Sequence, residues 1–314
     1  VRAVWLKEFG GPEVLVAGEA PDPAAGPGQA VVDVAFANIT FIETRFRATG
    51  DGPFKAQPPM ILGNGVGGVV AAVGDGVDPG LVGKRVVTGT GGSGGYAERV
   101  AVDAAGLYVV PDALEMDTAV ALLADGRTAM LQLRAGAPRA GERVLVEAAA
   151  GGVGTLLVQL AKAAGATVVA AAGGPRKLEV ARELGADETV DYLKPDWTEH
   201  LDGVDVVFDG VGGAVARAAF RLLRPGGRMV SYGLASGEWA DVSEEEAAER
   251  GVTLVKPQVT PELLRESTES ALAEAAAGRL RPLIGQRFPL ERAADAHAAI
   301  EARATVGKTL LEVR

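Results

Sequence analysis

From Arg143 to Tyr232 the chain switches repeatedly between two hydrophobic periods. Short apolar or valine-rich runs at Arg143–Ala148, Thr167–Ala172, Glu188–Tyr192, Val204–Asp209 and Gly227–Tyr232 read as strands. Between them, apolar residues recur at helical spacing: Leu156, Leu157, Leu160, Ala161 and Ala164 after Thr155, then Pro175–Leu184 and Ala214–Leu223. Strands alternating with helices over short connections predict a parallel sheet with helices on both faces.

The flanks follow a different pattern. Strand-like runs at Ala3–Leu6, Gln29–Ala37, Gly67–Gly74, Gly83–Thr88 and Ala97–Val102, separated by glycine and proline turns, predict a small barrel-like β domain. Thr118–Leu133 reads as a long helix interrupted at Asp125-Gly126-Arg127-Thr128. Helices over Pro261–Ala277 and Leu290–Ala302 precede a last strand, Thr309–Val313, which would fit a return to the N-terminal β domain. The expected fold is α/β. A Rossmann-type doubly wound sheet spans 121–258, and a β-rich domain is built from 1–120 and 259–314.

The first strand of the alternating region runs into Ala149-x-Gly151-x-x-Gly154, a dinucleotide-binding turn with alanine in its first position. Gly151 would let the backbone approach a pyrophosphate, and Gly154 would let helix and strand pack closely. The helix start offers unpaired N–H groups and a positive dipole end to the anion. With 43 glycines in 314 residues, an ordinary tight turn competes with this reading, so the neighbouring residues decide.

Composition narrows the function. A net charge of −10 argues against nucleic acid or an anionic membrane surface as partner. Clusters such as Glu244-Glu245-Glu246 read as solvated faces. The sequence has no uninterrupted apolar run that would span a bilayer and no signal peptide is apparent, so a cytoplasmic location is expected. Cysteine is absent, which removes thiol chemistry and the usual thiolate ligands of zinc. Only His200 and His297 remain, both in segments expected to be helical, and a metal-free protein is expected.

The end of the second strand, Ala171-Ala-Gly-Gly174, lacks the acid that holds a ribose 2′-OH in NAD enzymes. Arg176 and Lys177 follow it, cations suited to a 2′-phosphate, so NADPH is expected; the plainer alternative makes them solvated helix residues.

Further motifs occur in order along the chain: Phe9-Gly-Gly-Pro-Glu-Val-Leu15, Phe41-Ile-Glu-Thr44, Ile61-Leu-Gly63, Gly95-Tyr-Ala-Glu98, Gly126-x-Thr-Ala129, Ala148–Gly154, Asp209-x-Val-Gly212, Gly226-Gly227, Ser231-x-Gly233 and Gly307-Lys308. Together they make the chain resemble the zinc-free, zeta-crystallin-like quinone oxidoreductases of the medium-chain dehydrogenase/reductase superfamily over essentially its full length. The resemblance implies a GroES-like catalytic domain, a Rossmann domain, NADPH and a homodimer. It also implies that Thr128, Gly152, Val153, Lys177 and Tyr192 line the cofactor. Tyr192 and Lys177 would lie by its 2′-phosphate. The backbone at Tyr232, Gly233, Leu234 and Lys256, with Lys308, would lie by the nicotinamide half. A serine or threonine usual in the family is Gly173 or Gly174 here.

The acceptor side departs from the family. Thr40 replaces its asparagine, Arg45 its tyrosine, and Gly63-Asn64-Gly65 stands where zinc-free members commonly carry Gly-Ser-Glu. Thr40 and Arg45 are the candidates to stabilise a developing oxyanion, with Phe41, Phe46 and Asn64 as pocket walls. The sequence shows no obvious general acid. The expected acceptor is a quinone or an α,β-unsaturated carbonyl. Alternatives are an enoyl-thioester or enone reductase of a biosynthetic pathway, and an NADPH-binding sensor or structural protein with little turnover.

Overall fold

The five strand-like runs in the middle of the chain form β1 (Arg143–Glu147), β2 (Thr167–Ala172), β3 (Glu188–Asp191), β4 (Val204–Asp209) and β5 (Leu223–Ser231), and an unexpected short strand, β6 (Thr253–Val255), joins them. All neighbours pair in parallel, in the order β3-β2-β1-β4-β5-β6. This is the doubly wound order, and its direction reverses between β1 and β4. Helices α1 (Gly152–Ala163), α2 (Pro175–Glu183) and α3 (Gly213–Arg221) cross over between strands. The sheet is buried because both faces are apolar: Leu145, Val207 and Met229 pack with Ala216, Ala219 and Phe220 of α3.

The computed structural model describes residues 1–314 and resolves them into two compact units, Val1–Ala124 with Leu272–Arg314, and Asp125–Ala271. Both divisions fall inside helices, Met116–Gly136 and Pro261–Ala276, rather than at residues 120 and 258. Met116–Gly136 is one unbroken helix, so the expected interruption at Asp125–Thr128 is absent. A glycine inside a helix costs only about 1 kcal/mol relative to alanine, which burial of Ala119 to Leu123 readily offsets.

The β-rich unit is organised on the long strand Gln29–Ile39, which pairs with Gly65–Val73, Arg99–Asp103 and the C-terminal Lys308–Glu312. The register Thr309 to Ile39 places the end of the chain in the N-terminal sheet. Its core includes Val32, Val34, Phe46, Leu62, Val66, Tyr96 and Leu311. Strand Ile284–Pro289 extends this sheet and was not expected, because its residues alternate between half-buried and exposed. His297 lies in helix Ala293–Glu301, whereas His200 lies in a turn rather than a helix, within a polar stretch too short of apolar residues to dock one. Glu244, Glu245 and Glu246 form the first turn of a short helix, capped by the Ser243 hydroxyl, which accepts from Glu246 N at 3.1 Å; Glu244 and Glu245 are exposed, whereas Glu246 is half-buried and pairs with Arg217 at 3.1 Å. No helix is long and apolar enough to cross a membrane.

Candidate cofactor and acceptor sites

The glycine turn follows β1, beside the switch point of the sheet. Gly151 occupies the N-cap of α1 and supplies no side-chain acceptor to the first-turn N–H groups. Gly152 and Val153 are half-exposed, so their N–H groups are open to an anion, while the Gly151 N–H donates to Ala148 O at 2.8 Å. Gly154 lies where helix and strand touch: a Cβ there would stand 2.2 Å from the Ala148 carbonyl oxygen. A Cβ on Gly152 would overlap the Asp125 carboxylate. Thr128 lies half-buried in the helix Met116–Gly136. An uncapped helix start behind a turn that leaves no room for a side chain at Gly152 or Gly154 fits a pyrophosphate.

At the end of β2, Gly173 faces Tyr192, whose Cε2 would lie 3.4 Å from an added Cβ. Arg176 is exposed and Lys177 half-buried in the first turn of α2. The fold thus brings Gly173, Tyr192 and the start of α2 to one sheet edge. It also brings a residue that sequence reasoning passed over. Asp191, at the end of β3, accepts from Gly174 N at 3.2 Å and Leu193 N at 3.1 Å through one oxygen. The missing acid at the end of β2 is therefore partly replaced from the next strand. The parallel pairing of Ala172 with Asp191 is the register that places it there.

Tyr232 and Gly233 donate their N–H groups to Asp209 O at 2.9 and 3.3 Å, which lays this backbone, continuing into Leu234, along the end of β4. Lys256 is 89 % exposed and 3.9 Å from Glu244, a solvated pair of little energetic weight. Glu147 and Asp209 end the adjacent strands β1 and β4, both fully buried. Asp209 Oδ1 accepts from Val211 N at 3.0 Å and Gly212 N at 2.7 Å. Asp209 Oδ2, both Glu147 oxygens and the Tyr232 hydroxyl are buried without a well-formed hydrogen bond, the Val211 amide giving Glu147 only a weak favourable contact. Burial holds the Glu147 carboxyl well above the usual range, reinforced by the Asp209 charge and a hydrogen bond to it. Burial likewise pushes the Tyr232 phenol up.

A folded Glu147 retains its proton where the unfolded chain, with its ordinary value near 4.5, has lost it. Stability therefore falls as pH rises from that value through the raised folded value, and is level above it. Glu147→Gln keeps the shape and gives Asp209 a permanent N–H donor. It is expected to remove this decline and to add on the order of 1–3 kcal/mol at alkaline pH, read by denaturant unfolding from pH 5 to 9.

In the β-rich unit, Thr40 caps the helix Phe41–Thr49, and Glu43 reaches back to it. Glu43 Oε2 accepts from Thr40 N and Thr40 Oγ, both at 2.7 Å. Its Oε1 accepts from Asn64 N at 3.0 Å and lies 3.4 Å from the Tyr96 hydroxyl. Lys308, also buried, contributes a favourable charge to Glu43, while desolvation dominates and raises its pKa. Thr40, Asn64 and Lys308 are thus gathered around a carboxylate that sequence reasoning did not select. Phe41 is half-buried with the Arg303 guanidinium 4.8 Å from its ring centroid. Arg45 is half-exposed on the same helix. Phe46 is not a pocket wall: it is 0 % exposed, with Phe9 and Phe54 against it edge-on at 5.5 and 5.2 Å. An aromatic at this helical position turns inward because the opposite face carries Arg45 and Thr49.

No group of three or more histidine, aspartate or glutamate side chains is disposed to hold a metal ion. Residues 26–112 match the family described as Alcohol dehydrogenase GroES-like domain, and 184–311 that described as Zinc-binding dehydrogenase. A quinone oxidoreductase of Pseudomonas aeruginosa is 34% identical across 99% of both chains. A 2-haloacrylate reductase of Burkholderia is 32% identical across 99% of this chain and 98% of that one. The crystal structure of Escherichia coli quinone oxidoreductase complexed with NADPH superposes with a TM-score of 0.91 at 30% identity, covering 100% of both chains. The chain belongs to the zinc-free quinone oxidoreductase group of the medium-chain dehydrogenase/reductase superfamily. It is an oxidoreductase.

Proposed function

We propose that the protein is an NADPH-dependent reductase of quinones or other activated alkenes conjugated to a carbonyl. The observation that carries this is the glycine turn, with its uncapped N–H groups beside the switch point of the sheet. Bound NADPH supplies a hydride, and the protein supplies position and charge. The N–H groups at Gly152 and Val153 hold the pyrophosphate. Lys177 and Arg176, with Tyr192, receive the 2′-phosphate, and Lys177 acts as a point charge. Asp191 Oδ1 accepts from two backbone N–H groups, which fixes the orientation of the carboxylate at this edge. On the acceptor side, the Asn64 side-chain amide is the polar donor offered to the carbonyl oxygen; the Thr40 hydroxyl, expected to serve there, already commits its one proton to Glu43 Oε2. The Burkholderia relative, a 2-haloacrylate reductase, favours a second acceptor class, electron-poor alkenes that are not quinones.

Steady-state NADPH oxidation against p-quinones, α,β-enones, 2-haloacrylates and enoyl thioesters separates these classes. Turnover of quinones is the expected result. Exclusive turnover of enones, haloacrylates or thioesters replaces the acceptor, and NADPH binding without turnover of any of them overturns the reductase reading.

A further inference from the structure

We infer that Glu43 is a positioning residue of the acceptor site, whose single carboxylate sets the two loops bearing Thr40 and Asn64 relative to each other. The inference rests on the reductase reading above and extends it to a residue that touches neither cofactor nor acceptor. Each oxygen serves one loop: Oε2 takes the amide and hydroxyl of Thr40, both at 2.7 Å, and Oε1 takes the amide of Asn64 at 3.0 Å. A helix cap accounts for the first pair. It does not account for the second, because Asn64 lies in the connection between the strands Met60–Ile61 and Gly65–Val73, outside the helix that Glu43 belongs to.

The surroundings require an acid here. All four groups around the carboxylate can donate: Thr40 N, Thr40 Oγ, Asn64 N and the Tyr96 hydroxyl. Glutamine would turn an NH2 group toward two of them. Behind Tyr96, His297 Nε2 lies 3.0 Å from the hydroxyl, and burial pushes the imidazole down to about 3, so it stays neutral. We assign its proton to Nε2, leaving Nδ1 bare, since Nδ1 has no partner and the Tyr96 proton is then directed at Glu43. A fully buried carboxylate is costly where a solvent-facing cap would serve the helix equally well. What the burial adds is a fixed distance between the two loops.

The test compares wild type with Glu43→Gln. Amide hydrogen exchange in peptides covering Thr40 and Asn64 is expected to accelerate about tenfold or more in both, the loss of a hydrogen bond to a charged group. For the acceptor that wild type turns over best, kcat should fall and KM rise, lowering kcat/KM about tenfold or more. The Kd for NADPH, measured by fluorescence, should stay within about twofold. Glu43→Asp keeps the charge but reaches only one loop, so it should recover part of kcat/KM and leave one of the two peptides deprotected. Unchanged protection at Asn64, or wild-type kcat/KM in folded Glu43→Gln, overturns the positioning role. Should Glu43→Gln fail to fold, Glu43→Asp decides: full protection of both peptides with wild-type kcat/KM overturns it, and selective deprotection with lowered kcat/KM upholds it. Should wild type reduce no acceptor, the reductase reading falls, and hydrogen exchange alone judges whether Glu43 sets both loops.

Discussion

Gly154→Ala is expected to cost the protein roughly a hundredfold in NADPH affinity and to destabilise the Rossmann unit by about 1–3 kcal/mol. The added methyl would sit 2.2 Å from the Ala148 carbonyl oxygen and 2.9 Å from the Ala149 Cα, both backbone atoms. No rotamer change relieves such a contact, so α1 must shift off β1. The shift carries the N–H groups of Gly152 and Val153 away from the position they hold now. Gly151→Ala provides the contrast. Its Cβ would stand 3.2 Å from the same oxygen, a contact that a displacement of a few tenths of an ångström relieves, so the fold should survive. Fluorescence titration with NADPH and denaturant unfolding of both variants measure the two effects separately. Wild-type affinity in Gly154→Ala would show that the helix–strand contact does not set the anion site.

Phe46→Ala is expected to destabilise the β-rich unit by about 3–5 kcal/mol, because a fully buried ring clasped by two others leaves a cavity that its neighbours fill poorly. At temperatures where the variant is folded, acceptor KM should stay near wild type. Thermal unfolding alongside steady-state kinetics checks this: a raised KM with an unchanged melting temperature would restore Phe46 to the pocket.

The alternating unit was legible in the sequence because its signals are local. Valine-rich strands such as Val204–Asp209 are buried on both faces, and the glycine turn needs only six consecutive positions to announce itself. The edge strand Ile284–Pro289 was not legible, since half-buried alternation is indistinguishable from a polar loop in one sequence. Asp125 and Gly126 read as a helix break because turn residues signal breaks, while the burial that overrides them is tertiary. The candidate site divides in the same way. Gly151 and Gly154 were read from motif spacing and Lys177 from its place after the second strand, whereas Tyr192 came only from the family resemblance. Glu43 and Asp191 were missed because their partners come from other elements: Thr40 is near Glu43 in sequence, but Asn64, Tyr96 and Lys308 are not, and Asp191 reaches Gly174 only through strand register. Glu147 was missed for a related reason, its neighbour Asp209 arriving on the adjoining strand.

The central claim is that the edge formed by Lys177, Arg176 and Tyr192 receives a 2′-phosphate despite Asp191. The most direct measurement is kcat/KM of wild-type protein for NADPH and for NADH with one acceptor at fixed ionic strength. A charge-assisted contact to the phosphate predicts a preference for NADPH of about tenfold or more. Equal values, or a preference for NADH, would contradict the account and assign Asp191 to a ribose 2′-hydroxyl.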